Sequence, residues 1–465
     1  MSVRVKHFGF GLYQDESLAV GNASTLRLAK EFGTPLHVID EAGLRRRVRR
    51  FREGFEGAYH APVQIHYALK CNSTPGVARM VLEEGIDPEA GTLYEWMLAL
   101  RLGVAPGRIV VNGPHKGALL HAAVEEGAGL IVVDGPQELA LLEAVARAAR
   151  RRPRVLLRLN PNCVPRGMNR ASATGSRRGS VFGFDWARGE VEEAIRRMAE
   201  GSALRLAGFH CHVGTGISRP ADYERPARIL VDCLVEARRL GLDADVLDVG
   251  GGFGVSTSRE FNTKEFLLYQ AVGRLPGAPD PTRFPGVEDF AVRVAGAIES
   301  ACEARGAGLP RLLLEPGRAL VSGAGALLVT VGSVKHRPGA GTWAITDGGA
   351  GTVAFPMYYE YHEILLCRDP CADRTHRYTL VGPACFSADW ICRNKPMPEL
   401  VPGDVLAVCD AGAYFTVQES NFGFPRPAIV AVRGGVPRLL RRRETFDDMV
   451  ARDLDWEQAL GMRLA

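Results

Sequence analysis

Long apolar runs are missing from this chain of 465 residues. No run of 18 apolar residues occurs, whereas a helix that crosses a membrane needs about 20. The polar N-terminus also lacks the apolar core of a secretory leader. We therefore expect a protein that contacts no membrane and works in the cytoplasm.

Cysteine pairs with the spacing of a zinc site are also missing. Among the cysteines, Cys367 and Cys371 form a C-x-x-x-C pattern, but no second pair accompanies them. Structural zinc sites commonly combine two such pairs, so we expect no bound metal. We expect reduced thiols, because the cytoplasm keeps cysteines reduced.

Neither sign of charge dominates. The 57 basic and 53 acidic side chains give a net charge of +4, and the basic clusters are short. Proteins that bind nucleic acid carry a stronger basic excess, so we expect no nucleic-acid partner. The hydrophobic content of 46% suits a globular protein with large cores.

What the chain does have is an alternation of short apolar runs and amphipathic stretches, from about residue 60 to 320. In the amphipathic stretches apolar residues recur at i, i+3 and i+4, which predicts helices. Eight repeats predict a parallel (β/α)8 barrel, with a weak second strand because Pro88 lies inside it. The predicted strands are 63–69, 86–91, 108–113, 130–135, 155–160, 206–214, 246–250 and 312–315.

The pattern changes after about residue 322. Strand-like runs separated by Gly, Pro and Asp predict a mostly antiparallel β-sandwich or β-barrel domain. The runs are 326–331, 378–381, 405–408 and 428–432. The predicted units are residues 1–40, an N-terminal segment that pairs with the β domain, residues 41–322, the barrel, and residues 323–465, the β domain. Two barrel segments, about 163–200 and 255–285, are longer than a barrel needs.

Polar and reactive residues follow the predicted barrel strands at their C-terminal ends, where barrel enzymes place their chemistry. They are Lys70, Arg158, His210, His212, Thr215, Gly250, Gly251, Gly252, Glu315 and Arg318. A lysine at the end of a buried strand is unfavourable unless its amine is neutralised or reacts, because burial lowers the pKa of the ammonium. Such an amine is a usable nucleophile, although a lysine that reaches solvent is the ordinary alternative.

The residue types fit one kind of cofactor. Consecutive glycines expose backbone N–H groups to a phosphate, although a tight turn would also use them, and Arg318 can add a bidentate contact. Glu315 needs a cationic partner, and the imidazole of His212 can cover a flat ring or bind a metal. Together these groups predict a site for pyridoxal 5'-phosphate, in which the carboxylate keeps the pyridine nitrogen protonated.

Several motifs carry a resemblance to a known family. They are Tyr67-Ala68-Leu69-Lys70-Cys71-Asn72, His210-Cys211-His212-Val213-Gly214-Thr215-Gly216, Gly250-Gly251-Gly252-Phe253-Gly254, Glu315-Pro316-Gly317-Arg318, Asn112-Gly113-Pro114, Gly382-Pro383-Ala384-Cys385 with Asp389, and Gly412-Ala413-Tyr414. Over roughly residues 33 to 435 the chain resembles the fold-type III pyridoxal-phosphate decarboxylases. That family includes the ornithine, diaminopimelate and biosynthetic arginine decarboxylases.

The resemblance implies a role for each matching residue. Lys70 would form the imine with the cofactor, His212 would stack on its ring, and Glu315 would bind the pyridine nitrogen. The other implied cofactor contacts are Glu89, Arg158, Thr215, Gly250, Gly251, Gly252, Gly317, Arg318 and Tyr414. Cys385 would return a proton to Cα after carbon dioxide leaves. The resemblance also implies that Cys385 and Tyr414 act on the cofactor of the opposite subunit, in a homodimer with shared active sites.

The departures from the family concern the substrate. Phe386 stands where the family usually has the acid that receives a distal ammonium, and Tyr359 where ornithine decarboxylases have aspartate. Diaminopimelate decarboxylases carry an Arg-Pro pair shortly before the tyrosine, whereas this stretch reads Ala354-Phe355-Pro356-Met357-Tyr358. We expect the substrate to contact Tyr358, Tyr359, Phe386 and Asp389, with Glu360 or Glu363 as a relocated carboxylate.

These departures favour a decarboxylase that acts on an amino acid, or on a conjugated or carrier-linked amino acid, in natural-product or siderophore biosynthesis. The alternative is a diaminopimelate, ornithine or lysine decarboxylase with relocated distal recognition. An amino-acid racemase and a non-catalytic homologue are further alternatives, and the presence of Lys70, Glu315 and Cys385 argues against the second of these. A barrel aldolase with an imine lysine would not explain the C-terminal β domain.

Overall fold

Eight parallel strands close into a barrel in the computed structural model, which describes residues 3–168, 173–354 and 356–453. Each strand pairs with the next one along the chain, and the eighth pairs with the first. This closed order confirms the predicted (β/α)8 barrel. The strands are Val63–Ala68, Asp87–Ala90, Val110–Val111, Leu130–Val133, Arg154–Asn160, Arg205–His210, Val246–Asp248 and Arg311–Leu314.

Amphipathic helices connect the barrel strands and cover the outside of the barrel. In Glu190–Glu200, for example, the buried residues Val191, Ala194, Ile195 and Met198 lie on one face at helical spacing. Glu41–Ala58 precedes the first strand. The helices after the successive strands are Pro75–Leu82, Leu93–Arg101, Ala118–Glu126, Pro136–Ala148, Glu190–Glu200, Glu224–Arg239, Val287–Glu303 and Arg318–Val321.

The two long barrel segments each add a short strand. Phe184–Asp185 extends the sheet by pairing in parallel with the fifth barrel strand. In the second segment, Arg259–Glu260 pairs antiparallel with Glu360–Tyr361 of the β domain, and the helix Thr263–Val272 follows. The second segment therefore joins the barrel to the β domain beside the barrel mouth.

The β domain is built around the long strand Gly325–Arg337, which pairs antiparallel with three neighbours. One of them is Leu36–Asp40, which also pairs in parallel with Ala428–Arg433. The remaining strands of this sheet are Gly341–Thr346, Ile364–Leu366, His376–Val381, Trp390–Met397, Val405–Cys409 and Val436–Arg441. The four predicted β-domain runs are all strands here, and the N-terminal segment supplies one strand near the centre of the sheet.

Smaller elements complete the described chain. A three-stranded meander and two helices lie in the N-terminal segment, and three short helices lie in the C-terminal half. These elements are Val3–His7, Gly11–Leu12, Leu18–Val20, Ala23–Ser24, Thr25–Phe32, Ala350–Val353, Pro356–Tyr359 and Phe446–Val450. Among the described helices, none has both the length and the apolar character that a membrane crossing requires.

Candidate active site

A cavity of about 310 Å³ opens at the C-terminal ends of the barrel strands. Parallel strands deliver the residues that follow them to this one end, so side chains far apart in sequence meet here. The predicted site residues that line the cavity are Lys70, Glu89, Arg158, His212, Thr215, Gly252, Glu315, Gly317, Arg318 and Tyr414.

Lys70 lies in the turn Leu69–Cys71, directly after the first strand, and its Nζ donates to Glu89 Oε2 at 2.7 Å. About half of the Lys70 side chain is exposed, and that surface faces the cavity, whereas Glu89 is 1% exposed. Burial alone would lower the pKa of Lys70, but Glu89 and Glu315 hold it above its ordinary value. The prediction that Lys70 has a lowered pKa is therefore wrong, because the two carboxylates outweigh burial and keep the ammonium charged.

Glu89 is the carboxylate nearest to that ammonium. Burial raises the pKa of Glu89 to about 7, although the charge of Lys70 opposes the rise. A carboxyl group that titrates near neutral pH and touches an amine can exchange a proton with it. Glu89 is thus placed to accept the proton that Lys70 must lose before it acts as a nucleophile.

Glu315 follows the eighth strand and is held by side chains at the ends of the third and sixth strands. Asn112 Nδ2 donates to both carboxylate oxygens, at 3.1 and 2.9 Å, and His210 Nε2 lies 3.2 Å from Oε2. Burial would raise the pKa of Glu315, but His210 and Lys70 hold it far below its ordinary value. Glu315 is therefore an anion with a fixed orientation, as a partner for a protonated ring nitrogen requires.

Asp248 lies behind this carboxylate. Ligand atoms of His210, Asp248 and Glu315 all lie within 4.8 Å of one another, a spacing that a metal ion could also use. Burial, together with the charge of Glu315, raises the pKa of Asp248 well above its ordinary value. Ionisation of Asp248 is therefore disfavoured beside the Glu315 carboxylate.

His212 presents a neutral, fixed ring to the cavity. Its Nδ1 accepts the backbone N–H of Gly251 at 3.1 Å. Burial, reinforced by the charges of Arg158 and Lys70, lowers the pKa of His212 to about 3. An uncharged imidazole held by one nitrogen is suited to stacking on a flat cofactor ring.

Arg158 lies on the fifth strand between two partners. Its Nη1 is 3.3 Å from Asp134 Oδ1, and its guanidinium lies 4.2 Å from the centre of the Phe182 ring. Phe182 belongs to the first long barrel segment and also lines the cavity. This segment therefore contributes a wall of the site by a cation–π contact.

The glycines leave no room for side chains. A Cβ on Gly251 would lie 2.2 Å from the carbonyl oxygen of Glu315, and one on Gly252 would lie 2.1 Å from that of Gly214. Gly252 also has a φ of +87°, which L side chains rarely adopt. The backbone itself forms this wall of the cavity, as a cradle for a phosphate group requires. Together with the anionic Glu315 and the neutral His212, the cradle fits pyridoxal phosphate.

Arg318 and Tyr414 close the same end of the cavity. The Arg318 guanidinium lies 5.0 Å from the centre of the Tyr414 ring, and the Tyr414 N–H donates to the carbonyl of Cys71 at 2.8 Å. Tyr414 therefore lies in the cavity of its own chain, because it contacts the turn that carries Lys70. The expectation that Tyr414 serves the opposite subunit is wrong.

Glu360 and Glu363, the two carboxylates expected to receive a substrate ammonium, are already paired with cations of this chain. Glu360 binds both terminal nitrogens of Arg318, at 2.9 and 2.7 Å, whereas the buried Nε of Arg318 has no hydrogen-bond partner among the described residues. Glu363 contacts Lys395 at 2.9 Å and Arg374 at 3.0 Å. Neither carboxylate is free to receive a substrate ammonium, so this expectation is wrong.

The predicted substrate residues lie outside the cavity lining of their own chain. Asp389 is buried and accepts N–H groups of Ala350 at 2.6 Å and Ala384 at 2.7 Å, so it holds the loop 382–389 instead of facing a substrate. In that loop Cys385 is exposed and Phe386 is 48% exposed. Phe355 lies outside the described residues.

The two tyrosines are held by backbone groups. Tyr358 Oη donates to the carbonyl of Ala388 at 3.3 Å, which ties the helix Pro356–Tyr359 to the loop 382–389. The carbonyl of Tyr359 accepts the Phe261 N–H at 2.7 Å, beside the strand pair that joins barrel and β domain. Both residues therefore connect elements around the barrel mouth.

Sequence reasoning gave no site role to Asn112 or Phe182. Asn112 follows the third strand at its C-terminal end, so the rule that found Lys70 and Glu315 could also have found it. Phe182 stands in a long segment without a periodic pattern, and no signal marks it as a cavity residue.

Comparisons with known proteins agree with this geometry. The family model described as pyridoxal-dependent decarboxylase, pyridoxal binding domain, matches residues 41–322. A diaminopimelate decarboxylase of Actinosynnema pretiosum is 35% identical over 441 residues, 94% of this chain and 92% of the relative. One of Methanothermobacter thermautotrophicus is 32% identical over 439 residues, 93% and 94% of the two chains.

A solved structure matches almost the whole chain. The crystal structure of diaminopimelate decarboxylase from M. jannaschii has a TM-score of 0.82 and 26% identity, over 97% of this chain and 98% of that one. The chain belongs to the pyridoxal-dependent decarboxylase family. It is a carboxy-lyase that uses pyridoxal phosphate to remove carbon dioxide from an amino acid.

Proposed function

We propose that this chain is a diaminopimelate decarboxylase. The observation that carries the proposal is that relatives with this name align along nearly the full chain, at 35% and 32% identity in the two cases above. A related structure has been solved in complex with L-lysine, the kind of amino acid that loss of one carboxylate from diaminopimelate leaves. These relatives support a diaminopimelate decarboxylase better than a decarboxylase of natural-product biosynthesis.

When bound, pyridoxal phosphate supplies an electron sink for the bond that breaks at Cα. In the proposed site Lys70 would hold the cofactor through its amine, and Glu89 would take the proton that the amine loses. Glu315 would keep a proton on the pyridine nitrogen, because it is the fixed anion between Asn112 and His210.

The remaining contacts orient the cofactor. We assign the phosphate to the backbone of Gly250, Gly251, Gly252 and Gly317 with Thr215, Arg318 and Tyr414, one face of the ring to His212, and its edge to Arg158. The support is that these residues line or frame one cavity. A rigid backbone cradle fixes the ring, so the substrate bond to be broken is held in one orientation.

We further propose a homodimer in which Cys385 returns the proton to Cα in the partner's site. An exposed thiol in a loop held by Asp389 supports this role, since Cys385 does not line the cavity of its own chain. The exposed side chains Tyr94, Phe386 and Phe422 are also large and apolar enough to be covered by a second subunit.

A second candidate is decarboxylation of a conjugated amino acid. The exposed Phe386 favours it, because this apolar side chain offers nothing to a distal ammonium and could contact a larger, less polar extension.

The test is carbon dioxide release from a panel of amino acids by the purified enzyme loaded with cofactor, with Lys70→Ala as the inactive control. We expect release from diaminopimelate, with much lower rates on free ornithine, lysine and arginine. Silence on all four, together with release from a conjugated amino acid, would favour the second candidate. Racemisation without carbon dioxide release would overturn both.

A further inference from the structure

Arg318, which lines the cavity, and Glu360 form a buried, bidentate ion pair. Arg318 is 8% exposed and Glu360 is 3% exposed, and the two side chains make parallel contacts of 2.9 and 2.7 Å. Such a bidentate pair uses both terminal nitrogens of the guanidinium. The charge that Arg318 brings to the phosphate end of the cavity is therefore already balanced by this chain.

A histidine encloses the other side of Glu360. His362 Nε2 lies 3.2 Å from Glu360 Oε2, and His362 Nδ1 lies 3.0 Å from the carbonyl oxygen of Cys409. Glu360 also belongs to the short strand Glu360–Tyr361, which pairs with Arg259–Glu260. The strand pairing fixes the backbone of Glu360, and Arg318 and His362 bind its carboxylate. A rotation of this side chain away from Arg318 would break these contacts.

The pair is ionised under ordinary conditions. Burial would raise the pKa of Glu360, but Arg318 and His362 lower it to about 2. Burial would likewise lower the pKa of Arg318, but Glu360 holds it above its ordinary value. A full negative charge therefore lies next to the position that we assign to the cofactor phosphate.

We propose that Glu360 is a positioning residue that acts through Arg318 and sets how strongly the cavity attracts the phosphate group of its cofactor. This inference rests on the proposed cofactor site. With Glu360 in place, the phosphate depends mainly on hydrogen bonds from the backbone, from the unpaired Nε of Arg318 and from the hydroxyl groups of Thr215 and Tyr414. Arg318 orders this end of the cavity, but its charge is balanced by Glu360. The phosphate group therefore adds less to the affinity for pyridoxal phosphate than it would beside an unpaired arginine.

The test compares pyridoxal phosphate with pyridoxal, which lacks the phosphate. Dissociation constants for both ligands are measured on the full-length chain freed of cofactor, for wild type, Glu360→Gln and Glu360→Asp. Glutamine keeps an acceptor for the guanidinium but removes the charge, so the preference for pyridoxal phosphate over pyridoxal should rise about tenfold or more. Aspartate keeps the charge and should leave this preference near that of wild type.

Glu363→Gln is the matched control. Glu363 is also a buried glutamate with cationic partners, but those partners, Lys395 and Arg374, do not line the cavity as Arg318 does. Its substitution should lower the thermal unfolding midpoint without changing the preference between the two ligands. A change of equal size in Glu363→Gln would overturn the proposal, because it would reflect general destabilisation.

A double variant covers the case in which Glu360→Gln does not fold. Arg318→Met with Glu360→Met removes both charges at similar volume, a change that buried ion pairs often tolerate. Compared with Arg318→Met alone, which leaves the Glu360 charge unbalanced, the double variant should prefer pyridoxal phosphate over pyridoxal about tenfold more strongly. No gain over Arg318→Met, or no gain in Glu360→Gln, contradicts the inference. A wild-type chain that binds no pyridoxal phosphate would contradict the proposed cofactor site instead.

Discussion

At the scale of the single residue, the ammonium of Lys70 is paired with Glu89, which the neighbouring barrel strand places 2.7 Å away. Burial raises the pKa of Glu89 to about 7, although the charge of Lys70 opposes the rise. Glu89 therefore changes its charge near neutral pH.

The raised pKa of Glu89 predicts a pH effect on stability. The folded chain keeps Glu89 protonated up to about pH 7, whereas an unfolded glutamate loses its proton near 4.5. Between these values the folded state binds more protons, so the Glu89 contribution to stability falls as pH rises. Between about pH 5 and pH 7.5, the free energy of unfolding of the cofactor-free wild type should fall by on the order of 1–3 kcal/mol relative to that of Glu89→Gln.

Urea unfolding of both proteins at the two pH values measures this difference. His212, whose pKa is lowered to about 3, contributes a stability that rises with pH. It is present in both proteins, so the comparison between them separates the effect of Glu89. A difference between wild type and variant that does not change with pH would contradict the assignment.

The positions of Lys70, His212 and Glu315 can be predicted from the sequence, because the C-terminal ends of parallel strands converge. The charge of Lys70 cannot, because it depends on Glu89 of another strand. The sequence also gives the wrong subunit for Tyr414, because its contact with Cys71 joins residues that are distant in the chain.

At the scale of the element, strand periodicity predicted the barrel well and the β domain less completely. Gly341–Thr346 and Trp390–Met397 are strands here but were not predicted. Trp390–Met397 contains Arg393, Asn394 and Pro396, which hide the alternation that marks a strand. The sixth barrel strand ends at His210, four residues before the predicted end, because the motif after it forms the cavity wall.

The loop 382–389 provides the prediction at this scale. Asp389→Ala removes the acceptor for two backbone N–H groups and should destabilise the chain by about 1–3 kcal/mol. Carbon dioxide release should fall, because the loop carries Cys385, while the visible absorbance of bound cofactor stays unchanged. Asp389→Asn keeps one acceptor oxygen and should lose less stability and less carbon dioxide release than Asp389→Ala. Loss of cofactor absorbance at unchanged stability would place Asp389 in the cofactor site instead.

At the scale of the whole molecule, the proposed sharing of active sites between two subunits predicts the activity of mixed variants. Lys70→Ala and Cys385→Ala should each be impaired alone. If Cys385 serves the partner's cavity, mixed dimers carry one site with neither defect, and random pairing should restore up to about a quarter of wild-type activity. Activity of the two proteins refolded or co-expressed together measures this. No recovery in confirmed mixed dimers would place Cys385 in the site of its own chain.

The strand Leu36–Asp40 ties the two ends of the chain together, since it lies between Gly325–Arg337 and Ala428–Arg433. All five of its residues are buried in the fold. During synthesis this strand leaves the ribosome long before either neighbour exists, while the barrel that follows it can already close. We therefore expect the nascent chain to carry an unpaired, apolar edge for most of its synthesis, and the two halves of the protein to become mutually dependent only when the last strands emerge.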